Sequence, residues 1–479
     1  LGLRLLIDTG IDYQNPIFRK ADGTTRILGI WDQNIPGQPF SLPGLRSDFQ
    51  FLTGTAYTAD QINEALRSPD PLSIVPSTDT NGHGTFLAGI AGGGPTANQD
   101  FIGASPECSL AVVKLKPAKQ YLRDFFLIRE DAIAYQENDI MTAITYLTLV
   151  ATQYQLPLTI CIGLGTNQGS HDGTDPLSLR LSDLGRNLGV AAVCAAGNEV
   201  GYRNHFMGHF NPSMEYEEVE LRVAPGEAGF TLELWATAPE LYTVGFVSPT
   251  GEIIQRIPQI LGNETLVTFR LEQTVITVNY RAQVGVSGNQ LIFMRFQAPT
   301  PGIWRIRVYN TIFLNGIYHI WLPIHGFTSD DTVFLQADPY TTITGPGNAA
   351  FPITVSTYNH MNGSLFIHSS RGNTRNGLLK PDLAAPGVDV YGPGISTGTA
   401  PAPMVRMTGS SVAAAHVAGA VANLMSWGMN QGDDTVLNYR NIKSALIRGA
   451  NRNPAYTYPN REWGYGTLDL YQTFLAMRE

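Results

Sequence analysis

Short apolar runs alternate with amphipathic segments through residues 1–210. The apolar runs lie at 3–7, 111–115, 158–163 and 190–196, and helical patterns lie at 59–67, 138–151 and 177–188. Strands that are apolar on both faces and that alternate with helices are typical of βαβ units and of a parallel sheet. The rest of 14–76 is rich in Gly, Pro and Asn, so we predict irregular structure there.

The pattern changes near residue 211 to short runs of alternating character, separated by turn signals such as Pro225-Gly226 and Pro301-Gly302. Eight such runs lie at 219–223, 230–236, 242–248, 266–271, 273–280, 291–297, 302–309 and 317–322. This spacing predicts an antiparallel β-sandwich that resembles a jelly roll.

The α/β style resumes after residue 335. We predict a strand at 351–356, a turn-rich connection at 380–387, a helix at 441–449 and a strand at 464–469. The sequence therefore predicts an α/β fold whose parallel sheet is interrupted by an inserted sandwich. The predicted domain limits are 1–210 and 336–479 for the two α/β parts and 211–335 for the insert.

Composition narrows the classes of partner. The 479 residues carry a net charge of −9 and contain no block of lysine and arginine. Neither nucleic acid nor an anionic membrane surface is therefore an expected partner, and no apolar run approaches the roughly 20 residues that span a bilayer. The chain enters a strand-like run almost directly from Leu1, so we expect a processed or trimmed chain.

The three cysteines, Cys108, Cys161 and Cys194, show no C-x-x-C spacing. This sparse, odd-numbered set argues against a disulfide framework and against a structural zinc site. Cys161 and Cys194 lie in apolar runs, and we interpret both as small core residues.

Three polar residues stand out because a glycine lies within two residues of each of them. Asp8 ends the first apolar run in Asp8-Thr9-Gly10, at the sheet edge where ligand sites form in α/β folds. His83 lies between two glycines at the start of a helix of small residues, which is unusual for a core histidine.

The third is a serine in the stretch T-G-S-S-V-A-A-A-H-V-A-G at 408–419, which predicts a helix N-terminus. Ser410 or Ser411 can cap this helix, and we expect Gly409 to provide an unusual backbone angle. Taken alone, the stretch also fits an ordinary capped core helix. Asn198, just beyond the run at 190–196, likewise fits a simple turn former.

Together these residues form a chemical set. A serine hydroxyl needs a nearby base, that base needs an acceptor that fixes its tautomer, and the oxyanion needs donors. Asp8, His83 and Ser411 follow the chain order of subtilisin, and the Ser411 N–H and the Asn198 side chain can be the donors. An α/β-hydrolase is excluded, because the only histidine after Ser411 is His416 on the same predicted helix.

The chain resembles the subtilisin-like (subtilase) serine proteases. Asp8-Thr9-Gly10 matches the family's D-[ST]-G, 82–85 its H-G-T, 196–199 its A-G-N-E and 409–419 its G-T-S-M-A-x-P-H-V-A-G. The resemblance implies a parallel sheet with helices on both faces, and a serine endopeptidase that acts through an acyl-enzyme.

By this resemblance Ser411 is the nucleophile, His83 the general acid and base, Asp8 its orienting partner and Asn198 the oxyanion donor. The residues that would line the pocket for the substrate residue before the cleaved bond are Gly163, Leu164, Gly165, Ala196 and Gly197. The chain departs from the family pattern at four positions: Ser410, Val412 and Ala415 replace Thr, Met and Pro, and Gly163 stands where many subtilisins have Ser.

The inserted sandwich, the long stretch at 114–139 and the overall length are similar to the clostridial Csp germination proteases. That family processes the precursor of a spore-cortex-degrading enzyme, and some of its members are catalytically silent. The resemblance implies a protein or zymogen substrate, a propeptide as a further partner and a location in the bacterial spore, or otherwise secretion. The alternative is a subtilase-fold pseudoprotease that binds or signals.

We expect no cofactor and no metal. The loop at 95–101 offers only Asn98 and Asp100 as obvious calcium ligands.

Overall fold

A predominantly parallel sheet carries the α/β part of the chain. The computed structural model describes residues 3–42, 50–260, 262–396, 402–430 and 437–477. The strands of the sheet are β1 (Leu3–Asp8), β2 (Ile27–Asp32), β3 (Thr55–Thr58), β4 (Ser109–Lys114), β5 (Leu158–Ile162), β6 (Val190–Ala195), β18 (Ile353–Tyr358) and β19 (Leu383–Pro386). Their spatial order is β19-β18-β6-β5-β1-β4-β2-β3, and only β3 pairs antiparallel.

Helices cover both faces of this sheet. They are α1 (Ala59–Arg67), α2 (His83–Gly92), α3 (Gln120–Phe126), α4 (Glu137–Tyr154), α5 (Pro176–Leu184), α6 (Ser410–Asn430), α7 (Tyr439–Gly449) and α8 (Leu470–Ala476), with short 3-10 turns at Pro16–Phe18, Pro71–Ser73 and Val200–Tyr202. Helices α2 and α6 pack with Ala191 and Val193 on one face, whereas α4 and α5 pack with Ala192 and Cys194 on the other. Both faces are buried, which is why the central strands are rich in apolar residues on both faces.

The inserted sandwich consists of two antiparallel sheets. One contains, in spatial order, β11 (Ile253–Ile254), β10 (Leu241–Val247), β15 (Gly302–Ile312), β8 (Glu217–Val223) and β17 (Val333–Phe334). The other contains β12 (Glu264–Thr268), β13 (Val275–Val284), β14 (Asn289–Gln297), β9 (Gly229–Ala236), β16 (Ile317–Trp321) and β7 (His205–His209). The inward side chains of both sheets form one apolar core.

These strands confirm the predicted fold class, and each of the eight predicted runs lies in or overlaps a strand. Strand β7 begins at His205, before the predicted limit at 211. The domain limits themselves stay predictions.

Three local predictions are wrong. The segment 14–76 contains β2 and β3, because the apolar sequence I-L-G-I-W-D pairs with β4 despite its loop-like surroundings. The connection at 380–387 contains β19, an edge strand that tolerates Pro386. Residues 464–469 form isolated bridges rather than a strand, and Asp469 caps α8.

In the α/β part, strands β20 (Val390–Pro393) and β21 (Met404–Met407) form a separate two-stranded antiparallel sheet beside α2.

All three cysteines are buried, as predicted for Cys161 and Cys194. Within the described part of the chain, no helix is long and apolar enough to cross a bilayer.

The sandwich packs on the α/β part through buried polar groups. Arg375 and Asp172 of the α/β part form an ion pair at 2.8 Å in which each side chain is 3% exposed, and Arg375 also donates to the Thr237 hydroxyl of the sandwich at 3.0 Å. Asn289 of β14 donates to the same Asp172 at 3.0 Å. On another side, Phe125 of α3 stacks on Phe293 of β14 with 5.7 Å between ring centroids. The long stretch at 114–139 thus joins the two parts.

Candidate active site

Asp8 lies at the carboxyl end of the central strand β1 and is fully buried. Its Oδ1 accepts a hydrogen bond from the Thr9 N–H at 2.8 Å and lies 2.7 Å from His83 Nδ1. A carboxylate can only accept, so Nδ1 of His83 carries a hydrogen. The other ring nitrogen, Nε2, is then the one that can accept a proton.

His83 is the first residue of α2, and a neighbouring carboxylate fixes that helix end. Asp79 Oδ1 accepts from the Gly82 N–H and Oδ2 accepts from the Thr85 N–H, both at 2.9 Å. Asp79 also accepts a hydrogen bond from the Thr9 hydroxyl at 2.9 Å. One buried carboxylate therefore holds the histidine segment against the aspartate segment.

The glycine after His83 allows the two segments to approach. A β-carbon at Gly84 would lie 3.1 Å from the Gly10 nitrogen and would overlap the Gly10 carbonyl oxygen. The close neighbour of this glycine is the turn that follows Asp8.

Ser411 lies in the first turn of α6 and is 8% exposed. Its Oγ is 2.9 Å from His83 Nε2. Asp8, His83 and Ser411 therefore form a continuous hydrogen-bonded chain, with the serine hydroxyl next to the nitrogen that can take its proton.

Asn198 lies beside the same helix end. Its Oδ1 accepts a hydrogen bond from the Ser410 N–H at 2.9 Å, which orients the amide so that Nδ2 is directed away from that contact. The Ser410 hydroxyl accepts from the Gly197 N–H at 3.1 Å. Ser410, which replaces the family's threonine, thus ties the asparagine segment to the serine helix.

Gly409 leaves space between the candidate nucleophile and the candidate oxyanion donor. A β-carbon there would lie 3.4 Å from Ser411 Oγ and 3.5 Å from Asn198 Nδ2. The predicted unusual backbone angle is wrong, because Gly409 does not have a positive φ. The glycine keeps a volume open rather than permitting a turn.

The sandwich also contacts this segment. Glu199, which follows Asn198, accepts hydrogen bonds from Asn167 Nδ2 at 3.1 Å and from the side chain of Asn204 and the backbone N–H of His325, both at 3.0 Å. Burial raises the pKa of Glu199, and these three donors oppose that effect. The segment that contains Asn198 is thereby fixed to residues at the edge of the insert.

The electrostatics favour a cationic His83. Burial alone would lower the pKa of His83, but the charge and hydrogen bond of Asp8, with a smaller effect of Asp79, outweigh it and raise that pKa. A carboxylate that stabilises imidazolium assists a base that must hold a proton in mid-reaction.

The predicted pocket residues lie at two adjacent strand ends. Gly163, Leu164 and Gly165 follow β5, and Ala196 and Gly197 follow β6. A β-carbon at Gly163 would lie 3.1 Å from Ser411 Cβ and 3.5 Å from His83 Cε1. Gly163 therefore lies close to both side chains.

A sequence profile of the subtilase family matches residues 6–248 and 335–466. The chain belongs to the subtilase family. This subtilase is accordingly a subtilisin-type serine peptidase, and the unmatched residues 249–334 fall in the sandwich.

Solved structures agree. The CspB protease of Clostridium perfringens is 30% identical, with a TM-score of 0.86 over 99% of this chain and 93% of that chain. The predicted resemblance to Csp proteases is therefore confirmed. The prenylagaramide maturation protease PagA (13% identity, 99% of this chain and 93% of that chain) and a mutant of the protease domain of PatA (14%, 99% and 95%) each give a TM-score of 0.47. A search of curated proteins found no match.

Asp79 is a site residue that sequence reasoning missed. Its signal was weak: an acidic residue in the turn before the helix of His83, where a carboxylate can accept hydrogen bonds from free backbone N–H groups.

In the loop at 95–101, the acidic residue is hydrogen-bonded to two side chains of the protein. Asp100 accepts hydrogen bonds from Thr96 at 2.5 Å and from Tyr391 at 3.1 Å. Among the described residues, no cluster of three or more His, Cys, Asp or Glu is placed to hold a metal ion. The absence of a metal stays a prediction.

Proposed function

We propose that this subtilase is an active endopeptidase with Ser411 as its nucleophile. Ser411 Oγ adds to the carbonyl carbon of the scissile bond while His83 Nε2 takes the hydroxyl proton. Asp8 holds the ring in place and stabilises the imidazolium. The observation that carries this proposal is the pair of contacts at 2.7 Å and 2.9 Å that join Asp8, His83 and Ser411.

The carbonyl oxygen becomes negatively charged as the new C–O bond forms. Asn198 Nδ2 and the Ser411 N–H are the donors we assign to it. His83 then gives its proton to the leaving amine, and the C–N bond breaks. Water next attacks the acyl-enzyme while His83 takes a proton from it, and His83 returns this proton to Ser411 Oγ as the acyl group leaves. The Gly163–Gly165 and Ala196–Gly197 segments would flank the substrate.

For the substrate, we propose a protein zymogen, the precursor of a spore-cortex-degrading enzyme. The similarity to the CspB protease over nearly the whole chain supports this assignment. It implies limited proteolysis at one exposed site rather than general digestion. A propeptide of the enzyme itself is a second proposed partner.

Limited proteolysis of the purified precursor tests the substrate assignment. The wild-type enzyme should produce one new N-terminus, and Ser411→Ala should leave the precursor intact. An enzyme that hydrolyses other proteins through Ser411 but leaves the precursor uncut would overturn this substrate while keeping the peptidase.

A further inference from the structure

The side chain of Thr344 lies between the two glycine segments that were assigned to the substrate pocket. A β-carbon at Gly165 would lie 2.9 Å from Thr344 Cβ and would overlap its hydroxyl oxygen. A β-carbon at Gly197 would lie 2.7 Å from Thr344 Cγ2 and 3.0 Å from Oγ1. The Cα–Cβ directions of both glycines therefore point at Thr344, and its side-chain atoms occupy the space that side chains at either position would need.

Hydrogen bonds hold Thr344 in this position. Its N–H donates to the Ala196 carbonyl at 3.0 Å, and its hydroxyl donates to the same oxygen at 3.3 Å. The next residue, Gly345, exchanges two backbone hydrogen bonds with Thr166 at 2.9 Å and 3.0 Å. Thr344 is thus tied to both strand ends and cannot swing aside without breaking these bonds.

The space between the two segments is closed at its inner end. Thr344 is 1% exposed and Gly197 is buried, whereas Gly165 is exposed. Ser370 Oγ lies 2.7 Å from the position of a Gly197 β-carbon, which covers this glycine further. A substrate side chain can therefore lie over this region but cannot enter deeply between the segments.

We propose that Thr344 sets the depth of the pocket and excludes aromatic side chains from the position before the scissile bond. This inference rests on the proposed function. A large ring needs the volume that the Thr344 methyl and hydroxyl groups fill, whereas a short side chain does not. The substrates are therefore proteins cleaved after residues with short or slender side chains.

Competition with a fluorophosphonate probe measures this preference without a known substrate. Two peptide aldehydes, identical except for a terminal Ala or Phe, compete with the probe for Ser411 in the full chain. The Ala aldehyde should protect wild-type Ser411 at far lower concentration than the Phe aldehyde. Pocket-size effects of this kind are on the order of 10–200-fold.

Two variants separate volume from hydrogen bonding. Thr344→Gly removes the obstructing atoms, so the Phe aldehyde should gain affinity on the order of 10–200-fold. Thr344→Val keeps the shape and loses only the hydroxyl, so it should retain the wild-type preference. The labelling rate by the probe alone reports whether each variant keeps an intact site.

Three results would overturn the inference: equal protection of the wild type by both aldehydes, an unchanged preference in Thr344→Gly, or a Val variant that admits Phe. The comparison of the two aldehydes on the wild type needs no variant, so the inference can still be refuted if the Thr344→Gly protein fails to fold. Failure of the wild type to label at all would instead remove the proposed function, and this inference with it.

Discussion

Acidification should lower the free energy of unfolding through two buried histidines of the sandwich that are hydrogen-bonded to each other. His205 Nε2 lies 2.9 Å from His319 Nδ1, and both rings stack on Trp321 with centroids 4.8 Å and 5.2 Å away. The same tryptophan stacks on His171 of the α/β part at 4.0 Å. The histidine pair therefore lies at the contact between the two parts of the molecule.

Both histidines are neutral in the folded protein. Burial lowers the pKa of His205 to about 3. Burial, together with the neighbouring His205 and Arg375, lowers the pKa of His319 well below its usual value. The charged and titratable groups that act on His319 are other histidines and Arg375, and none of them is a carboxylate that would stabilise its proton.

The sign follows from the unfolded chain, in which each histidine has a pKa of about 6.5. Below that pH the unfolded state binds more protons than the folded state. Stabilisation is therefore complete above pH 6.5 and is lost as the pH falls towards the folded pKa. Between pH 7 and pH 5 each neutral histidine loses about 2 kcal/mol, and the pair loses about 4 kcal/mol.

Denaturant unfolding at pH 7 and pH 5 measures this loss. Burial raises the pKa of Glu199 and of Glu233, which act with the opposite sign, so the comparison must use variants. His319→Gln removes one titrating ring, and its loss between the two pH values should be about 2 kcal/mol smaller than that of the wild type. His360→Gln, at an exposed position outside the sandwich, controls for the removal of a histidine as such. Equal pH dependence of the wild type and His319→Gln would refute the reasoning.

Three further predictions concern the interface and the site. Asp172→Asn leaves Arg375 buried without its partner and should cost about 3–5 kcal/mol of unfolding free energy, whereas the matched change at the exposed ion pair of Asp131 should cost less than about 1 kcal/mol. Similar losses for both would show that the buried pair does not stabilise the interface. Asn198→Ala should lower kcat about 100–1000-fold, as for the equivalent donor of subtilisin, with little change in KM; an unchanged kcat would remove it from the oxyanion site. Gly409→Ala, which places a methyl group between the serine hydroxyl and the asparagine amide, should lower kcat at an unchanged melting temperature, and full activity would contradict this use of the space.

Much of the fold follows from local pattern. Strands β5 and β6 are buried at every position and almost wholly apolar, because helices cover both faces of the sheet; apolar strands with intervening helices are typical of a parallel sheet. The start of α1 also follows a local signal, since Thr58 and Gln61 form a capping box in the structure. Strand β2 was missed because its surroundings carry the Gly, Pro and Asn signals of a loop.

The candidate site was predictable in its members but not in its shape. Short motifs contain Asp8, His83, Ser411 and Asn198. These motifs and their order along the chain predicted that the four residues meet. Thr344 carries no such signal. It is separated from Gly165 and Gly197 by the whole inserted sandwich, and only the packing of the α/β parts brings it between them.

Reaction of the full chain with a fluorophosphonate probe tests the central claim most directly. If Asp8 and His83 activate Ser411, the wild-type protein should form one covalent adduct that peptide mapping places on Ser411. Ser411→Ala should form none, while Ser410→Ala should still be labelled. A wild-type protein that remains unlabelled after any bound inhibitory peptide is removed, or an adduct that persists in Ser411→Ala, would contradict the account.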